Sequence, residues 1–152
     1  MRLTAGVADG RRLVAVAPGT ASRRRNYPPD RLAAVISRLC DRLDADILLQ
    51  GSAEDTAAAA VIEGAIAGRH AGRIHDLTGR TTLPAAAAVI ERAALLLAMD
   101  SGPAHLAAAV PPCTDSCRDA GAHCIAAIEP DQAAASILDF LAALPVTTGE
   151  PR

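Results

Sequence analysis

Apolar residues along this chain form short unbroken runs that alternate with longer stretches in which they recur every three or four positions. Arg12–Ala17 is apolar on both faces, as a buried parallel strand is, and Pro18-Gly19 stops it. A loop from Thr20 to Pro29 follows. From Asp30 the period becomes helical: Leu32, Val35, Ile36, Leu39, Cys40 and Leu43 share one face, with Arg31, Arg38, Asp41 and Arg42 elsewhere. Asp46–Gln50 reads as a second strand ended by Gly51 and Ser52, and Ala53–Arg69 as an Ala-rich second helix. Ile74–Leu77 is a short third strand and Thr78-Gly79 a turn. Thr82–Ala94 is a third helix, with Leu83 and a buried stripe of Ala86, Ala87, Ile90 and Ala94, and Leu95–Met99 a fourth strand. A small-residue helix opens near Gly102 and is broken by Pro111 and Pro112. Cys113 to Cys124 has no clear period, and Pro130 starts a last helix with Ala134, Ile137, Leu138 and Leu141 on one face.

Strand and helix in strict alternation imply parallel pairing through crossovers, hence a three-layer α/β domain with ligands at the carboxyl ends of its strands. The expected organisation is an extension over residues 1–11, one domain over 12–144 and a frayed tail over 145–152.

Composition narrows the choice of partner. The formal charge of −2 supplies no basic stripe, and Tyr27 and Phe140 are the only aromatic side chains, so neither duplex nor single-stranded nucleic acid is expected. The segment Met1–Arg12 lacks the apolar centre of a signal peptide, and the apolar stretch Leu83–Met99 is interrupted by Glu91 and Arg92. A cytoplasmic protein without a transmembrane segment is the expectation.

Candidate chemistry collects in three loops that a parallel sheet would open on one side. The first offers Thr20, Ser22 and Arg25; the second Gly51, Ser52 and Glu54; the fourth Asp100, Ser101, Gly102 and His105. A helix start at Gly102-Pro103 leaves backbone N–H groups free for an anion, and an arginine suits a diphosphate, each charged hydrogen bond contributing on the order of 1.5–3 kcal/mol. A carboxylate suits sugar hydroxyls. Together these loops describe a nucleotide-sugar pocket. Each residue also has a plainer reading: Arg23–Arg25 as a solvated charge run, Glu54 as a first-turn acid favoured by the helix dipole, Asp100 as an N-cap and His105 as a core histidine.

Pro18-Gly19, Arg25-Asn26-Tyr27-Pro28, Gly51 with Glu54, Asp76-Leu77-Thr78-Gly79 and Asp100-Ser101-Gly102-Pro103-Ala104-His105 occur in one order. In this the chain resembles the C-terminal half of glycosyltransferase family 9, the heptosyltransferases of lipopolysaccharide core assembly. The resemblance implies a GT-B architecture of two Rossmann-like domains, of which this would be the truncated C-terminal one, binding an ADP-heptose or related donor without a cofactor or metal. By position, Arg25 stands for the lysine of a Lys-x-Trp-Pro motif and would balance the diphosphate, and Tyr27 stands for the tryptophan. Glu54 resembles the acid that engages the nucleoside, while Asp100, Ser101, Gly102 and His105 resemble the motif around the phosphates and sugar. The general base and the site for a lipid-linked saccharide acceptor would belong to an absent N-terminal domain, and a strand and loop are missing after Val110. The isolated chain is therefore expected to be inactive, and a non-catalytic nucleotide-binding or interaction remnant is the alternative.

Cys113, Cys117, His123 and Cys124 carry ligand-like side chains, but their spacing is not that of a zinc finger, and adjacent His123 and Cys124 cannot easily address one ion. No metal is expected there. Cys40 falls on the apolar face of the first helix and reads as core.

Overall fold

A computed structural model describes residues 11–22, 25–108 and 129–143. Within them β1 (Arg12–Ala17), β2 (Ala45–Leu49), β3 (Ile74–Asp76) and β4 (Leu95–Ala98) form one parallel sheet in the order β3-β2-β1-β4. The helices are α1 (Pro29–Arg42), α2 (Thr56–His70), α3 (Leu83–Arg92), α4 (Gly102–Ala108) and α5 (Pro130–Ala143), with one turn of 3-10 helix at Ala53–Asp55. The expected fold class holds: helices cover both faces of a parallel sheet. None of them is long and apolar enough to cross a membrane among the described residues.

Side-chain alternation divides the strands between two cores. Val14, Val16, Ile47 and Leu49 point to the face covered by α1, α2 and α5. There α1 buries five of the six residues read from its period, Leu32, Val35, Ile36, Leu39 and Cys40, while Leu43, just past the end of the helix, is partly buried against them. Each such side chain contributes about 1.5–3 kcal/mol by leaving water, so this face carries most of the stability. Arg31 with Glu129 (3.3 Å) and Arg38 with Asp131 hold α5 against α1.

The opposite face is thinner: Leu13, Ala15 and Leu48 meet Val89 of α3. Here the sequence expectation needs correction. The buried residue of α3 is Val89, whereas Ala94 is exposed and Leu83 is 74% exposed. Alanines dominate this helix, so its apolar positions mark no single face, and contact with the sheet selected the one branched side chain that fits. The boundaries also shift. The segment read as a continuous helix from Ala53 begins as a 3-10 turn, β3 ends at Asp76, and β4 at Ala98.

Arg73 closes the lower edge. Its guanidinium donates to the carbonyls of Cys40 (3.1 Å), Leu43 (2.7 Å) and Ala45 (2.8 Å), thereby holding the end of α1 and the turn into β2. The left-handed Gly72 (φ +80°) precedes it and lets the chain reverse out of α2. A serine, a histidine and an aspartate also converge between α1 and α2. His70 Nε2 lies 3.4 Å from Ser37 Oγ and 3.3 Å from Asp41 Oδ1. Both contacts fall on the same ring nitrogen, so the imidazole cannot relay a proton from one to the other as a nucleophilic triad requires.

Candidate functional site

The order β3-β2-β1-β4 reverses direction at β1, because β2 lies on one side of it and β4 on the other. An open parallel sheet has its crevice at such a reversal, outside the carboxyl ends of the strands. A cavity of about 440 Å³ lies there, among the loops after β1, β2 and β4 and the start of α3. Of the loop residues read from the sequence, Thr20, Gly51, Ser52, Glu54, Ser101 and Gly102 line it, whereas Ser22, Arg25, Asp100 and His105 do not.

Arg25, Asp100 and His105 form a chain beside this cavity. Arg25 Nη1 donates to Asp100 Oδ2 at 2.6 Å, and His105 Nε2 lies 3.4 Å from Asp100 Oδ1. The guanidinium and the histidine thus share one carboxylate, whose next neighbour in sequence, Ser101, is in the cavity wall. Ser22 serves the loop itself: its N–H donates to Thr20 Oγ1 (3.0 Å), while the N–H of Thr20 donates to Asn26 Oδ1 (2.9 Å). This is a side-chain-stabilised turn, and it brings Arg25 across to β4. Tyr27 is buried under α1. Burial pushes its phenol above the ordinary value, with the nearby Arg31 acting in the opposite sense.

Asp55 and Gln50 are among the cavity residues that escaped the sequence reading. Asp55 accepts from the N–H (2.7 Å) and the hydroxyl (3.0 Å) of Ser52. Its carboxylate fills the space beside two glycines: a Cβ on Gly19 would lie 1.7 Å from Oδ1, and one on Gly51 would lie 2.4 Å from Oδ2. Only glycine fits at those positions while Asp55 stands between the loops. The signal was legible, since Ser52 followed three residues later by an acid is the spacing of a capping box. Gln50, the other, is 1% exposed and lines the cavity.

The Asp76-Leu77-Thr78-Gly79 motif has a structural part. Asp76 Oδ1 accepts from the N–H (2.8 Å) and hydroxyl (2.7 Å) of Thr78. Gly79, left-handed at φ +68°, then donates to the carbonyl of Gly51 (3.0 Å), which ties the loop after β3 to the cavity floor. The cysteine cluster from Cys113 to Cys124 lies outside the described residues.

The fold and crevice define a Rossmann-type α/β domain with a cavity at the switch point. The family model for glycosyltransferase family 9 (heptosyltransferase) matches residues 2–112, and the chain belongs to that family. Among solved structures it is similar to E. coli ADP-heptose LPS heptosyltransferase II, at 22% identity and TM-score 0.77 over 89% of this chain and 48% of that one. It is also similar to the glycosyl transferase family 9 protein of Veillonella parvula DSM 2008, at 25% identity and TM-score 0.55 over 68% of this chain and 28% of the other. The chain therefore spans about half or less of the length of these structures. No curated protein matches its sequence.

Proposed function

We propose that this domain binds the nucleotide-sugar donor of a glycosyltransferase, an ADP-heptose or related ADP-sugar, for transfer to a lipid-linked saccharide of the lipopolysaccharide core. The observation that carries the reading is the cavity at the switch point, where the loops after β1, β2 and β4 meet. In this reading Arg25 supplies positive charge to the diphosphate, while Glu54 and the Asp100-Ser101-Gly102 loop engage the nucleoside, phosphates and sugar. Ser22 and Thr20 shape the arginine's loop, and His105 holds Asp100. A deprotonated acceptor hydroxyl would attack the anomeric carbon as its bond to the diphosphate breaks, and Arg25 would stabilise the negative charge left on the departing diphosphate oxygen. The base and the acceptor contacts are assigned to an N-terminal domain, with the reaction in the cytoplasm and no metal or cofactor required.

Arginine is suited to this role because its planar fork can leave one carboxylate contact for two phosphate contacts. Calorimetry of this chain with ADP and with an ADP-sugar tests the reading. Arg25→Ala should weaken either ligand about tenfold or more. Equal affinity in the variant, or no binding by the wild-type chain at millimolar ligand, overturns it.

A further inference from the structure

Gln50 follows β2 directly, and its N–H continues the sheet by donating to the carbonyl of Val16 (2.8 Å). Strand alternation is therefore unbroken through this position. It sets the side chain on the α3 face, with Leu48, and not toward α1. That face opens at its carboxyl end into the cavity, whose wall also includes Ala17, Thr82 and Ala86. The amide is buried, yet among the described residues neither Oε1 nor Nε2 has a hydrogen-bond partner. Buried polar atoms are nearly always paired, since leaving one unsatisfied is unfavourable.

We propose that Gln50 is a specificity-determining residue of the donor cavity, its amide reading an uncharged ligand group that offers a hydrogen-bond donor and acceptor side by side. The assignment rests on the donor-site reading above and adds to it the chemistry recognised at the end of β2. A primary amide presents one acceptor and two donor hydrogens. Phosphate oxygens only accept, so they would leave Oε1 unpaired, and the acids Glu54 and Asp55 from the adjoining loop disfavour an anion at this end. Vicinal sugar hydroxyls satisfy both halves of the amide, and so does the amino-purine edge.

Calorimetry of the wild-type chain and Gln50→Leu with ADP-glucose, ADP and purine riboside 5′-diphosphate, whose base lacks the 6-amino donor, separates these sources. The variant should lose about tenfold in affinity for at least one of the three. Loss confined to ADP-glucose assigns the amide to hydroxyls of the transferred sugar. Loss for both adenine ligands with purine riboside 5′-diphosphate unchanged assigns it to the base edge, and loss for all three to the ribose diol. If the wild type binds and Gln50→Leu binds all three within twofold of it, the assignment fails while the donor site stands. A wild-type chain that binds none of them overturns the donor-site reading and this assignment together. A melt without ligand checks the premise: Leu fills a similar volume without polar atoms, so the variant should melt at or above the wild-type temperature. A melt several degrees lower would show that the fold itself satisfies the amide, and would overturn the assignment.

Discussion

Arg25 and Asp100 stand 75 positions apart in sequence and meet at 2.6 Å. Their side chains are 23% and 14% exposed, so water screens the pair only partly. Removing either charge leaves the other in a half-buried place with fewer partners, although His105 still faces Asp100. Asp100→Asn should lower unfolding stability by about 1–3 kcal/mol. A double-mutant cycle with Arg25→Ala in urea should return a coupling of about 1 kcal/mol or more that shrinks with added salt. Additive single effects would show that the contact contributes nothing.

The two glycines flanking Asp55 should respond differently to alanine. At Gly19 the clash is with the free end of the Asp55 carboxylate, which can rotate away at the expense of its bonds to Ser52. The cost should be about 1 kcal/mol and should vanish in an Asp55→Ala background. At Gly51 the new methyl also comes within 3.0 Å of the Asp55 Cβ, which rotation of the carboxylate does not move. Gly51→Ala should therefore cost more, about 1–3 kcal/mol, and Asp55→Ala should recover only part of it. Denaturant midpoints of the five variants decide the matter.

Arg73 is expected to matter far from the cavity. Its three carbonyl contacts hold the junction of α1 and β2, and an ammonium cannot reach them all from one position. Arg73→Met should cost about 2–4 kcal/mol in urea unfolding, with Lys restoring less than half. A lysine variant as stable as wild type would mean that charge alone suffices.

Burial raises the Cys40 thiol above its ordinary value near 9, with Arg73 opposing the shift. The folded chain thus keeps the proton at pH values where the unfolded chain has released it. Its contribution to stability is complete below the ordinary thiol value and declines as pH rises through the folded one. Tyr27 acts in the same sense starting near 10. Chemical unfolding from pH 8 to 10.5 should show falling stability, and Cys40→Ala should remove the earlier part of the fall. An identical pH profile in the variant would refute the assignment.

What could be read before folding was whatever depends on neighbours in sequence. Of the six side chains on the local period of α1 five are buried, and the apolar run of β1, bounded by its own Pro-Gly, is buried from Leu13 to Ala17. The motif loops were also legible, because strict strand-helix alternation puts alternate loops at one sheet edge whatever the strand order. Three things depended on the assembled sheet. Val89 rather than the neighbouring alanines became the buried residue of α3, since a helix rich in small side chains has no face until a partner chooses one. Asp55 became the wedge between Gly19 and Gly51, a relation between two loops that no local pattern encodes. The pairing of β1 with both β2 and β4, a long-range choice settled by which faces can be covered together, brought Arg25 to Asp100 and opened the cavity beside the amide of Gln50, unpartnered among the described residues.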